Sequence, residues 1–165
     1  MSFAKPLRNP GTMLVVAVML VAAQASAAGA QGCLAAAEVS RLVGLEVRAF
    51  PQGTRSYGPN VVCAYQATNQ DLGAFVTTVV GPAAGRDEVL TEMKESAKTF
   101  AGESAELETV RVGDGGFAYG SSSKSEAAAV TGGRLYHAEI SSTASANIGD
   151  KKAALIEVLK KMMGR

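Results

Sequence analysis

The amino-acid sequence predicts an α+β fold, in which a single antiparallel sheet packs against two or three helices. Three segments carry apolar residues at helical spacing, and the stretches between them are rich in β-branched residues or alternate apolar with polar residues. The dipeptide Gly132-Gly133 between two such stretches fits the two-residue turn of an antiparallel hairpin. The order helix, three strands, helix, three strands, helix also suggests two similar halves.

The first half begins with a short helix predicted over 34–44, which Gly44 ends in a left-handed conformation. A loop is predicted over 51–60, where glycine and proline residues favour turns. The three strands predicted for this half span 45–50, 61–67 and 75–80.

The second half begins with a helix predicted over 86–100, whose apolar stripe runs from Val89 to Phe100. A glycine turn at 113–116 and a serine-rich loop at 121–125 flank the short segment 117–119. The closing helix spans 150–163 and takes Asp150 as its N-cap. The three strands predicted for this half span 107–112, 127–131 and 135–141.

The N-terminal residues follow the layout of a cleavable secretory signal peptide. Lys5 and Arg8 give a positive start, and the uncharged apolar stretch 13–23 is short for a bilayer span. Small residues then allow cleavage after Ala27 or Ala30. A signal peptide is therefore expected, and a retained membrane anchor is the alternative.

Removal of residues 1–30 leaves 31–165, a usual length for one domain, which we expect to be periplasmic or secreted without a membrane span. Lys5 and Arg8 leave with the signal, so the domain keeps 14 basic and 15 acidic residues, a net charge of −1. That balance argues against a nucleic-acid partner.

The chain has two cysteines, Cys33 and Cys63. An exported chain with two cysteines usually pairs them, so we predict a disulfide between them. The alternative is a lipoprotein in which Cys33 is the acylated first residue. Gly32 suits a lipidation site, but Gln31 and Ala30 do not, and lipidation would leave Cys63 without a partner.

Two short motifs suggest catalysis but lack the context that catalysis requires. The segment 113–118 has the G-x-G-x-x-A spacing of dinucleotide sites, yet no helix is predicted after it. Ser121 and Lys124 match S-x-x-K of penicillin-recognising enzymes, but they lie in a predicted loop and no Lys-Thr-Gly follows. No cofactor is expected, and one histidine with two well-separated cysteines does not form a standard zinc site.

His137 is the sole histidine, so any Ser-His-Asp arrangement has to include it. Strand alternation places it with Glu139 on a polar face, where a histidine is usually solvated. Tyr57 in the first loop and Tyr119 beside the glycine turn are the aromatic residues expected to be exposed. If these loops lie at one end of the sheet, Tyr57, Tyr119 and His137 form a candidate recognition surface.

Several short segments together resemble a group of small exported bacterial proteins and lipoproteins, most of them of unknown function. The segments are Cys33-Leu34 leading to Glu38-Val39 and Gly44, then Cys63-Ala64-Tyr65, then the run from Val110 to Ala118, and the closing helix. The Leu-Thr pair that often precedes the Glu-Val step in that group is absent. The resemblance implies the same disulfide and an α+β fold, and it carries over no catalytic residue.

These observations predict a non-enzymatic exported module that binds an unknown protein or envelope component. A narrower form of this hypothesis is an inhibitor-like protein that blocks another secreted enzyme. Two alternatives stay open: a carrier of a small apolar ligand held between sheet and helices, and a small periplasmic hydrolase that uses His137 with a serine or a carboxylate.

Overall fold

The structure, a computed structural model, describes residues 32–143 and 146–164. The signal peptide predicted for residues 1–30 and its two cleavage sites lie outside the described residues. The helices are α1 (Ala36–Val43), α2 (Arg86–Ala101) and α3 (Lys152–Met163). The strands are β1 (Val47–Ala49), β2 (Arg55–Tyr57), β3 (Asn60–Ala67), β4 (Ala74–Pro82), β5 (Glu108–Val110), β6 (Gly115–Gly120), β7 (Lys124–Thr131) and β8 (Arg134–Ser142).

In the described part of the chain, eight strands form one antiparallel sheet packed with three helices, which confirms the predicted α+β fold. The strand order is β1-β3-β4-β8-β7-β6-β5, and β2 pairs with β3 on the edge that β1 also uses. Each half of the chain supplies four strands rather than the expected three, and β4 pairs with β8 where the halves meet.

The two additional strands, β2 and β6, lie in segments that the sequence predicted to be a loop or to adjoin a turn. β2 lies inside the predicted loop 51–60 and folds back on β3 across Gly58, whose φ of 53° is left-handed. β6 extends the segment 117–119 in both directions, and β7 begins at Lys124, inside the predicted serine-rich loop. Pairing with a neighbouring strand satisfies the backbone here, and local propensity does not encode that pairing.

Of two predicted backbone features, the Gly132-Gly133 turn is present, whereas Asp150 is not the N-cap of the closing helix. Gly132 and Gly133 join β7 to β8 with φ of 56° and 73°, as a primed two-residue turn requires, which confirms the predicted hairpin. At α3, Lys151 rather than Asp150 occupies the N-cap position. Asp150 still satisfies an unpaired donor of the first turn, because its Oδ1 accepts a hydrogen bond from the Lys152 N–H at 2.8 Å.

The two faces of the sheet carry different helices. On the first face, α1 and α3 cover the main core, in which Val39, Ile140 and Leu155 are fully buried. On the second face, α2 packs on β6, β7 and β8. The residues of that smaller core are Met93, Ala97, Tyr119, Ala128 and Leu135. Alternation along β7 sends neighbouring small side chains to opposite cores, so helices can approach the sheet closely from both sides.

A disulfide joins Cys33, just before α1, to Cys63 in β3, which confirms the predicted pairing. Beside it, the Tyr65 hydroxyl donates a hydrogen bond to the Leu34 carbonyl oxygen at 2.8 Å. Disulfides persist in oxidising compartments, so the bond indicates an environment outside the cytoplasm. Among the described residues, no helix has both the length and the apolar character needed to cross a membrane.

Gly116 allows β6 and β7 to approach each other closely. A Cβ at this position would lie 2.4 Å from the backbone carbonyl oxygen of Ala128. We therefore expect Gly116→Ala to lower the free energy of unfolding by about 2 kcal/mol, a typical cost of overpacking. Urea unfolding measures the change. The control is Gly164→Ala, where the nearest atom lies at 3.4 Å, and equal losses in the two variants would contradict the expectation.

Candidate functional site

The second face of the sheet is covered at two places and left partly open between them. α2 covers β6 and β7, while the segment 50–54 folds over β3. There the Phe50 ring meets the Phe75 ring edge-on with centroids 5.7 Å apart, and a Cβ on Gly53 would lie 2.6 Å from the Ala64 methyl. The residues between these covers are all partly exposed and are here named the open strip: Val62, Thr77, Val79, His137 and Glu139.

Strand register places two carboxylates directly opposite each other on this face. Glu139 of β8 pairs with Glu126 of β7 on one side and with Thr77 of β4 on the other. Like charges at directly opposite positions of a sheet are destabilising unless a cation neutralises them. Lys124 supplies that cation, because its Nζ lies 2.8 Å from Glu126 Oε1 and 3.4 Å from Glu139 Oε2. We name Glu126 and Glu139 the acidic pair.

Glu126 is also hydrogen-bonded to side chains of α2 and β6. Ser96 Oγ donates to Glu126 Oε1 at 2.9 Å. The Tyr119 hydroxyl lies 2.8 Å from Ser96 Oγ and 3.3 Å from the same Glu126 oxygen. Because only 5% of the Glu126 side chain is exposed, these bonds form in a poorly solvated place. They attach α2 to the sheet by polar contacts in addition to apolar packing.

Burial and charge pairing act in opposite directions on the pKa values of Glu126 and Lys124. Burial opposes ionisation of Glu126, but its contacts with His137 and Lys124 outweigh burial and lower the pKa of the carboxyl to about 2. Burial also opposes the charged form of Lys124, and its contacts with the acidic pair outweigh this and raise the pKa of the ammonium. Burial raises the pKa of the Tyr119 phenol, and the Glu126 charge adds to the effect. At neutral pH, Glu126 is therefore a carboxylate and Lys124 an ammonium.

His137 faces the second oxygen of the Glu126 carboxylate. Its Nε2 lies 3.8 Å from Glu126 Oε2, which is too far for a hydrogen bond. Within the described chain, this buried nitrogen has no hydrogen-bond partner. In particular, no hydroxyl of the described residues is hydrogen-bonded to Nε2, as a serine nucleophile would be. The arrangement therefore resembles a charge cluster more than a nucleophile with its base.

The structure separates the three residues of the predicted recognition surface. Tyr57 is 76% exposed on the edge strand β2. Tyr119 was expected to be exposed, and this is wrong, because α2 covers it and leaves 3% exposed. His137 shares its face with Glu139 as predicted, but only 17% of its side chain is exposed. The strands β3, β4, β8 and β7 stand between Tyr57 and Tyr119, so these tyrosines do not share one edge.

The two motifs considered for catalysis have structural roles. The segment 113–118 leads into β6 and not into a helix. The Ser121 hydroxyl accepts from the Lys124 N–H at 3.0 Å and donates to the Lys124 carbonyl at 2.8 Å, which closes a turn. Lys124 Nζ contacts the acidic pair instead of Ser121. No three His, Cys, Asp or Glu side chains within 32–143 and 146–164 are grouped to hold a metal ion.

A small apolar cleft lies beneath the first turns of α2. Its lining includes Val89, Leu90, Val130 and Leu135, and Arg86 stacks over the Phe117 ring beside it, 5.5 Å from the centroid. The volume of the cleft, about 10 Å³, is that of a water-sized group. This cleft by itself therefore does not provide for carriage of a small apolar ligand.

Sequence reasoning missed Glu126 and the contact that Lys124 makes with it. The available signal was alternation, since extending the strand predicted over 127–131 back by three residues puts Lys124 and Glu126 on one face. A two-residue turn at Gly132-Gly133 then pairs Glu126 with Glu139. The covering of this face by α2 had no comparable signal, because it depends on contacts between distant segments.

Comparisons with known proteins assign no function. No family model, no curated protein and no solved structure matches this chain.

Proposed function

We propose that the protein is a non-enzymatic binding module of the periplasm or the extracellular medium, which contacts a protein or envelope component through the open strip. The observation that supports this proposal is the partial exposure of five side chains on a face that is covered on both sides of them. A disulfide-stapled domain suits export to an oxidising compartment.

The open strip has the mixed chemistry of a non-obligate protein interface. Val62 and Val79 offer apolar contact, while Thr77 and Glu139 offer polar contact on the same face. Phe100 near the end of α2 is 45% exposed, and its ring centroid lies 5.1 Å from Lys124 Nζ, so an exposed aromatic residue borders the strip. Large aromatic side chains are common in protein interfaces.

Paired strands also hold the residues of the open strip in place, and this favours a role in binding a partner. Its residues lie on β3, β4 and β8, strands in the middle of the sheet with a neighbour on each side. Sites on paired strands keep their geometry better than sites on loops, and less conformational entropy is lost on binding. An inhibitor-like role would use the same surface.

Photo-crosslinking in the native host tests this proposal. A benzophenone amino acid at Val79 is expected to give discrete adducts of higher mass after illumination, because Val79 lies on the open strip. The matched control is the same amino acid at Ala153, which is exposed on α3 over the first face of the sheet. Equal adduct patterns at both positions, or none at Val79, would contradict the proposal.

A further inference from the structure

In the polar cluster beside the open strip, two carboxylates lie against one lysine. Both members of the acidic pair share the ammonium of Lys124. The sharing is unequal, since Lys124 Nζ is 2.8 Å from Glu126 and 3.4 Å from Glu139. Glu139 is therefore the carboxylate whose charge is less fully compensated within the protein.

Glu139 is also the member of the acidic pair that a partner can reach. Its side chain is 28% exposed, against 5% for Glu126. Within the described residues, Lys124 is the group that contacts its carboxylate. Thr77 lies directly across from it on β4, and Val79 lies diagonally across, so a hydroxyl and an apolar surface adjoin the charge. A long side chain with an apolar stem and a cationic head matches this combination.

The charged groups on the second face favour binding of a cation at the β8 end of the open strip, where Glu139 lies. On α2, Ser96 and Phe100 contact the cluster, and Glu92 lies one turn before Ser96 on the same line of the helix. At the opposite end, Arg48 of β1 donates to Gln66 at 3.2 Å on the second face, and Arg55 of β2 pairs with Val62. The second face thus carries acidic groups beside β8 and basic groups on β1 and β2, outside the strip, and this difference in charge sets an orientation for a partner.

From this geometry we infer that the open strip receives the ammonium or guanidinium group of a lysine or arginine side chain of a partner protein, bound at Glu139. This inference rests on the proposed function and names the chemistry of the partner. The incoming cation places a further positive charge beside two directly opposed carboxylates that share Lys124. The partly buried setting strengthens the attraction relative to a fully exposed carboxylate.

Nuclear magnetic resonance provides a site-specific test, because His137 is the sole histidine and gives a single imidazole signal beside the acidic pair. The probe is Nα-acetyl-lysine methylamide, and the neutral analogue is its Nε-acetylated form, both at matched ionic strength. We expect saturable shifts of the imidazole signal with the lysine probe. We also expect binding weaker by about fivefold for the neutral analogue, the scale of a partly exposed ion pair.

Two variants complete this test. Glu139→Gln should weaken binding of the lysine probe by about fivefold, while Glu157→Gln on the first-face helix α3 should leave it unchanged. Equal binding of the two probes, unchanged binding in Glu139→Gln or absence of a saturable shift would overturn the inference. If crosslinking from Val79 succeeds while the lysine probe fails, the inference is wrong and the proposed function stands. Failure of crosslinking from Val79 counts against the proposed function whatever the probe does.

Discussion

Glu126→Gln is expected to lower the free energy of unfolding at neutral pH by about 3 kcal/mol. The physical reason is that the folded protein holds the pKa of this carboxyl at about 2, against an ordinary value of 4.5. A difference of this size corresponds to roughly 3 kcal/mol of stabilisation of the ionised form. The amide keeps the shape of the side chain but not its charge, so Lys124 loses its nearer counterion.

The same variant should change how stability depends on pH. Because the folded-state pKa of Glu126 is lowered, its contribution is fully present above about pH 4.5 and is lost as the pH falls toward 2. On the alkaline side the raised pKa of Lys124 means that the pairing is fully present below about pH 10.5 and is lost above it. Urea unfolding across this pH series should show both declines in the natural protein and flatter ones in Glu126→Gln.

The matched control is Glu157→Gln on α3. Glu157 forms an ion pair with Lys160 at 2.6 Å, but both side chains are about half exposed. Exposed pairs of this kind contribute between about 0 and 1 kcal/mol, so the control should lose little stability. A similar loss in both variants, or a pH dependence unchanged in Glu126→Gln, would show that the buried contacts do not stabilise the Glu126 charge.

Replacing both cysteines with serine is expected to lower the free energy of unfolding by about 3 kcal/mol. The bond between Cys33 and Cys63 closes a loop with a sequence separation of 30 residues, and its loss enlarges the conformational freedom of the unfolded chain. The measurement is urea unfolding of the natural protein, with and without a reducing agent, beside the double variant.

Reduction and substitution should give nearly the same loss, because both remove the same constraint. The hydrogen bond from Tyr65 to the Leu34 carbonyl still holds the start of the domain near β3 in the folded state, so we expect the fold to survive at room temperature. A double variant as stable as the oxidised protein would contradict the entropic account. So would a reduced protein much less stable than the double variant.

Helix positions followed from local sequence, because a 3.6-residue period is carried by side chains near one another along the chain. α2 was predicted over 86–100 and is observed over Arg86–Ala101, and α1 lies within the predicted 34–44. Strands were less well predicted. β2 and β6 depend on partner strands elsewhere in the sheet. The glycine-rich sequence around them favours turns locally, but hydrogen bonds to a neighbouring strand stabilise the extended conformation.

The candidate site was predicted in part. His137 and Glu139 were placed together on one face, as observed, because alternation along a strand is local. The exposure expected for Tyr119 was wrong, because turn-rich sequence around it indicates a surface loop while α2 arrives from a distant part of the chain. Glu126 went unnoticed because the serine-rich segment before it hid the start of β7.

The sequence by itself thus determined the three helices, the Gly132-Gly133 hairpin and the disulfide pairing. Each of these depends on residue spacing or on the number of cysteines. Only the tertiary structure decided that α2 lies on the face opposite α1 and α3, where Ser96 meets Glu126, and that the segment 50–54 covers the other end of that face. The physical reason is that burial and charge pairing arise between segments far apart in sequence, and local patterns do not specify which distant segments meet.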